Sequence, residues 1–133
     1  MTGSNTARPR SPNIRNYRPQ LTSVLSIVNR ITGVALSLGA IVLVAGLAAA
    51  ALGPQMYEPL RRTLISPLGK LTLLFMTFAV FLHLCGGIRH LIWDLGIGFE
   101  LRSIYVSGWI IVVVSGLLTI ATWTAAIVLG AHS

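Results

Sequence analysis

Acidic residues are almost missing from this chain. Its 133 residues contain three, Glu58, Asp94 and Glu100, against ten lysines and arginines. Charged residues of both signs make up 10% of the chain, where a soluble domain carries about 25%. So few charges cannot cover a water-facing surface, which excludes a large soluble catalytic domain and indicates one small membrane domain. A single cysteine, Cys85, excludes an internal disulfide. It also sits two positions after His83, so it points away from that histidine's face of a helix and is a poor co-ligand for it. No glycine-rich phosphate loop, no metal-type Cys/His cluster and no internal repeat occurs. What is plentiful is apolar: 54% hydrophobic residues and a mean hydropathy of +0.79. In such a chain a net charge of +7 reports membrane orientation and lipid headgroups, with no nucleic acid as partner.

Residues 1–20 are polar and turn-rich, with Arg8, Arg10, Arg15 and Arg18 interleaved with Pro9, Pro12 and Pro19. The prolines forbid a regular helix and with it an amphipathic presequence. The apolar region that follows is too long for a secretory signal, so an extended basic arm on the membrane surface or on a partner is expected. Residues 21–133 read as a transmembrane domain with three spans at about 22–52, 68–95 and 103–129. Ile31 to Leu52 runs 22 residues without a charge. At about 1.5 Å per residue that is roughly 33 Å, enough for a hydrocarbon core of about 30 Å. Gly53-Pro54 stops the first span, and the connection through Tyr57, Glu58, Pro59, Arg61, Arg62 and Pro67 reads as polar and proline-broken. Gly96 and Gly98 end the second span. The fold class is therefore all-α and membrane-embedded.

With three spans, the N-terminal arm and the second connection share a side. That side carries Arg8, Arg10, Arg15, Arg18, Arg30, Arg89 and Arg102; the other carries Arg61, Arg62 and Lys70. Seven against three places the N-terminus inside, in the bacterial cytoplasm or the mitochondrial matrix.

The chemistry concentrates in His83-Leu84-Cys85-Gly86-Gly87-Ile88-Arg89-His90-Leu91-Ile92-Trp93-Asp94. Histidines seven residues apart make almost two turns, so His83 and His90 project from one face, His83 about 10 Å deeper. Gly86 and Gly87 lie between them and open a slot where a flat, bulky group could approach the backbone. A neutral imidazole nitrogen beside such a slot suits the axial ligation of a haem. Two packed polar residues, or a proton relay, are the alternatives. Ser26 and Arg30, four apart, also share a face. A hydroxyl and a guanidinium there could donate to a quinone carbonyl, while Arg30 alone could be an interface anchor. Arg89 reads as an interface cation, with Trp93 one turn on as a stacking partner or an interface aromatic. Asp94, four after His90, could orient that imidazole or end the helix in water. Tyr105, Trp109 and Trp123 read as lipid-belt or packing aromatics, and His132 as solvated.

Three segments carry a resemblance. Ser26-Ile27-Val28-Asn29-Arg30-Ile31-Thr32-Gly33 is similar to the Ser-Ile-x-His-Arg-x-Thr/Ser-Gly signature of the cytochrome b membrane-anchor subunit (the larger anchor) of succinate dehydrogenase, respiratory complex II. His83 to Asp94 resembles that family's His-x-x-x-Gly-Ile-Arg-His-x-x-x-Asp. Arg8-Pro9-Arg10-Ser11-Pro12 through Tyr17-Arg18-Pro19 resembles the arm of its mitochondrial and alphaproteobacterial members. The segments occur in the family's order.

The resemblance implies a haem b with His83 as one axial ligand to the iron, and a second ligand from a smaller anchor subunit. His90 would lie near a haem propionate, and Asn29, Arg30, Gly86 and Gly87 would surround the group. Ser26 and Arg30 would line a pocket for ubiquinone as substrate. A flavoprotein and an iron–sulfur subunit would oxidise succinate and deliver electrons to that pocket. The chain would work in a bacterial inner membrane, or a mitochondrial one, as part of a heteromeric helical bundle. Two positions depart: the arm's Ser-Pro-His is Ser11-Pro12-Asn13 here, and the family's histidine before the arginine is Asn29, whose amide donates but cannot titrate. A fumarate reductase anchor, another cytochrome b, or a non-redox carrier or assembly subunit are the alternatives. A carrier would show broken helices or a mid-membrane acid, and the three acids lie at span ends.

Overall fold

The computed structural model describes residues 21–98 and 100–131, so the basic arm and His132 lie outside the described residues. Four helices follow one another: α1 (Leu21–Leu52), α2 (Pro54–Ile65), α3 (Pro67–Asp94) and α4 (Leu101–Gly130). No strand occurs among the described residues. Three stretches are long and apolar enough to cross a membrane: Ser23–Leu52, Pro67–Asp94 and Arg102–Gly130. The all-α, three-span plan expected from the charge-free runs is the one observed.

In hydrocarbon the backbone must satisfy its own hydrogen bonds, which leaves helices as the solution for these runs. Hydroxyls on the spans are treated the same way. Ser37 donates to the Gly33 carbonyl at 2.9 Å, Thr72 to Leu68 at 2.9 Å and Thr122 to Leu118 at 2.8 Å, each one turn back on its own helix.

The connection after the first span is not the broken loop its prolines suggested. It forms α2, twelve residues long. Pro54 stands at the start of that helix, where its missing N–H is harmless. Pro59 removes one helical donor farther in. Glu58 braces the exposed side by accepting from Arg61 Nε and Arg62 Nε, both at 3.0 Å. The Arg61 bond first, and the Arg62 bond next, hold the Glu58 carboxyl below the usual carboxylate range. Gly53 makes the corner into α2 with φ of 116°, a backbone that favours glycine. Ser66 makes the corner into α3: its hydroxyl accepts from the Gly69 N–H at 3.1 Å, with Pro67 in the first helical position.

The spans pack around α3, which lies against both α1 and α4; α1 and α4 touch each other less. Small residues make the contacts close, as suits helices that gain nothing by hiding apolar surface from lipid. On α4 the buried positions are Gly108, Ile111, Ser115 and Thr119, spaced at three and four so that they share one face. On α3 the buried apolar side chains are Ala79 and Leu82. The outer faces are apolar and open: Ile31, Val34, Leu38 and Ile41 on α1 are each more than 60% exposed. These faces meet lipid or other helices.

Gly69 is the tightest point of the turn into α3. A Cβ there would collide with the carbonyl oxygens of Thr63 and Leu64 on α2. Gly69→Ala should therefore destabilise the α2–α3 corner by about 1–3 kcal/mol. Gly116→Ala, where a Cβ meets nothing within 4 Å, should be near neutral. Thermal unfolding of the two variants in the same detergent checks the difference.

Candidate functional site

α1 and α3 run antiparallel in a fixed register. Asn29 meets Gly86, Gly33 meets His83, and Gly39 meets Met76. The chemistry-bearing stretch of α3 is therefore laid along the first part of α1, at the end of the bundle where α1 begins and α3 finishes.

His83 is half-buried between the two helices. Its Nδ1 lies 3.1 Å from the Asn29 carbonyl oxygen and 3.3 Å from Thr32 Oγ1. A backbone carbonyl can only accept, so Nδ1 carries the hydrogen and donates to it. The Thr32 hydroxyl also donates to the Asn29 carbonyl, at 2.9 Å, which turns its lone pairs toward the imidazole. Nε2 has no hydrogen-bond partner among the described residues. On its other side the ring rests on Gly33, where a Cβ would stand 3.1 Å from Cε1.

The two glycines of the expected slot differ. Gly86 faces the Asn29 side chain, and a Cβ there would come within 2.6 Å of Oδ1. That oxygen is buried and accepts no hydrogen bond. Gly87 meets nothing within 4 Å and stays open.

One turn beyond, a cavity of about 120 Å³ opens between α1, α3 and α4. Ser26 and Asn29 from α1, and Gly86, Arg89, His90 and Trp93 from α3, give it its polar and aromatic character. Ser26 and His90 thus line one cavity, as the antiparallel register requires. Arg30 does not: it is exposed and absent from that lining. Asn29 and Gly33 point at α3, and Arg30 lies about 100° round the helix from Asn29.

Arg89 is the residue sequence reading placed least well. Instead of standing in the interface it is 7% exposed and turned onto α4. Its Nε donates to Ser107 Oγ at 3.0 Å and Nη2 to the Ile104 carbonyl at 2.8 Å. The stacking expected with Trp93 is present, with Arg89 Cζ 4.0 Å from the ring centroid. His90 meets the same indole edge-on, ring centroids 5.6 Å apart, and no bond links it to Asp94 among the described residues. Arg89 and Trp93 are the partition between this cavity and a second one, about 280 Å³, on the α4 side. Thr32 and Gly33, which close the signature on α1 but were given no role from the sequence, are the residues that meet the His83 imidazole.

A multi-pass membrane protein of three spans, with one histidine seated between two of them beneath a small cavity, is the class this fold and site define. The chain belongs to the family of succinate dehydrogenase/fumarate reductase transmembrane subunits, which it matches over residues 4–122. It is 41% identical to the succinate dehydrogenase cytochrome b556 subunit of Rickettsia typhi over 116 residues, 87% of this chain and 90% of that one. It is 34% identical to the cytochrome b560 subunit of Reclinomonas americana over 90% of this chain and 86% of that one. The cytochrome b556 subunit of Paracoccus denitrificans is also 34% identical, over 86% of this chain and 88% of its own length.

Lysine cannot reproduce Arg89's two-directional donation or its planar stacking. With a hydrogen bond to a charged group contributing about 1.5–3 kcal/mol, Arg89→Lys should lose about one such bond's worth of stability. The Trp93 environment should change with it. Thermal unfolding followed by tryptophan fluorescence, against a Trp93→Phe control, measures both.

Proposed function

We propose that this chain is the cytochrome b membrane anchor of a succinate:quinone oxidoreductase, with His83 as one axial ligand of haem b. The observation that carries the reading is the His83 imidazole. Its Nδ1–H is committed to the Asn29 carbonyl, while Nε2, inside a membrane span, has no partner among the described residues. A metal-bound imidazole is commonly held in this way, with one nitrogen on a carbonyl and the other on the metal. The open face at Gly87 fits a flat group, whereas the Asn29 carboxamide already fills the space at Gly86. The naming of the relatives as cytochrome b556 and b560 subunits supports the same group. Haem b, when bound, supplies one-electron chemistry inside the membrane.

The chain's own residues then divide the work. His83 binds and orients. Asn29 stands about one turn, and His90 almost two turns, nearer the membrane surface, where haem propionates would lie. Ser26, in the cavity wall, offers a short, orientable donor to a carbonyl of ubiquinone, the substrate. Arg30, exposed one turn on, supplies a fixed positive charge that favours reduced quinone, from a face open to a partner subunit. Flavoprotein and iron–sulfur subunits would oxidise succinate and dock at this end, and a second small anchor subunit would supply the other haem ligand. The membrane is the bacterial inner membrane with the N-terminus cytoplasmic, as the basic residues indicate.

The test uses the purified complex. His83→Ala should abolish the low-spin haem spectrum, and His90→Ala should keep iron ligation and shift the potential. The reverse result would reassign the ligand. Ser26→Ala and Arg30→Leu should each lower quinone reduction by about one to two decades, the equivalent of one charge-assisted hydrogen bond. Succinate oxidation with an artificial dye and haem content should hold. Equal loss of both activities would mean failed assembly, and unchanged quinone turnover in the double variant would remove this pocket.

A further inference from the structure

The seat that α1 builds under His83 uses two residues that the proposed ligation and quinone chemistry leave without a task. Thr32 and Gly33 follow Arg30 by two and three positions, and they touch the imidazole from different directions. Thr32 Oγ1 is 3.3 Å from Nδ1, with its own hydrogen given to the Asn29 carbonyl. The Nδ1–H is thereby shared between two oxygens tied to each other, and rotating the ring away from either loses a bond that no water is at hand to replace. The bare Cα of Gly33 lets Cε1 come close; a methyl there would stand 3.1 Å from it, tighter than ordinary contact. Hydroxyl, carbonyl and glycine together define the rotation of the ring about its axis and the direction of Nε2.

We propose that Thr32 is a positioning residue for the axial nitrogen of His83: with the Asn29 carbonyl and Gly33 it sets the plane and the donor strength of the imidazole. The proposal rests on His83 being the axial ligand. A second oxygen on Nδ1–H makes the imidazole the stronger donor to iron, which favours the ferric state. Removing the hydroxyl while keeping the shape should weaken that donation and free the ring to turn.

Thr32→Val, in the assembled complex with all its subunits, should keep normal haem content and move the haem reduction equilibrium about tenfold toward the ferrous form, 59 mV for one electron. The largest g value of the ferric low-spin EPR signal, which reports the angle between the two axial planes, should move as well. Thr32→Ser, which restores the hydroxyl, should return the equilibrium to within threefold of the parent. Gly33→Ala, which keeps the hydroxyl but crowds the ring, should shift the EPR signal with a smaller change in potential. If Thr32→Val fails to assemble, Thr32→Ala and Gly33→Ala decide by the EPR shift alone. An unchanged g value and an equilibrium within threefold of the parent in Thr32→Val, or a shift toward the ferric form, would overturn the proposal. His83→Ala separates the two levels. If it retains the low-spin spectrum, the ligand assignment fails; if it loses the spectrum while Thr32→Val is silent, only the positioning role fails.

Discussion

A polar group held inside a bilayer has no water to turn to, and this structure is arranged largely by how such groups are answered, Asn29 Oδ1 and Ser115 Oγ being the exceptions among the described residues. Serine and threonine hydroxyls on the spans fold back onto carbonyls one turn away, as Ser37, Thr72 and Thr122 do. Some side chains reach across to another helix and tie the bundle together: the Trp123 indole on α4 donates to Thr77 Oγ1 on α3 at 3.3 Å, and Arg89 and His83 make the ties at the site. Arg89 reaches across to Ser107 and the Ile104 carbonyl, joining α3 to α4. His83 reaches the other way, to the Asn29 carbonyl, joining α3 to α1. The middle helix is central because it carries both groups, six residues apart and directed at different neighbours.

Close approach is the condition for both ties. The imidazole reaches the α1 backbone only because Gly33 and Gly86 let the helices come together on either side of it. That proximity brings the rest of the site with it. Once Asn29 is opposite Gly86 and Gly33 opposite His83, the antiparallel register carries Ser26 to the level of Arg89 and His90. The cavity there follows from helix geometry without a further contact to hold it. The candidate site residues are thus gathered at one end of the bundle, while the exposed faces of α1 stay apolar for lipid or partner helices.

Those levels of organisation were unequally legible. Charge-free length fixes a span by itself, so the three crossings could be read directly from Ile31–Leu52 and its two successors. The helix α2 could not, because Pro59 and a run of charges look the same in an exposed helix as in a loop; the bracing of Glu58 by Arg61 and Arg62 is a product of the helix. Spacing placed His83, Gly86 and His90 on one face but said nothing about what stands opposite. Only the register reveals that Asn29 enters the Gly86 gap and that Gly87 alone stays open. Arg89 misled for a related reason. An arginine near a span end most simply snorkels outward, and its turn inward depends on a serine eighteen residues away on another helix.

The position where this chain departs from the signature it resembles is also where the seat is anchored. Asn29 stands where the signature has histidine, yet the imidazole of His83 uses only the carbonyl of residue 29. A backbone acceptor is indifferent to the side chain it belongs to, so residue 29 can change without unseating His83. What changes is the space beside Gly86. A carboxamide is smaller than an imidazole, carries no titratable charge, and presses its oxygen against a bare glycine. Any side chain at 86 would push it out. The pairing of Asn29 with Gly86 is therefore a packing constraint, and the pairing of Thr32 and the residue-29 carbonyl with His83 a hydrogen-bonding one. The two share a single turn of α1 and can vary independently of each other.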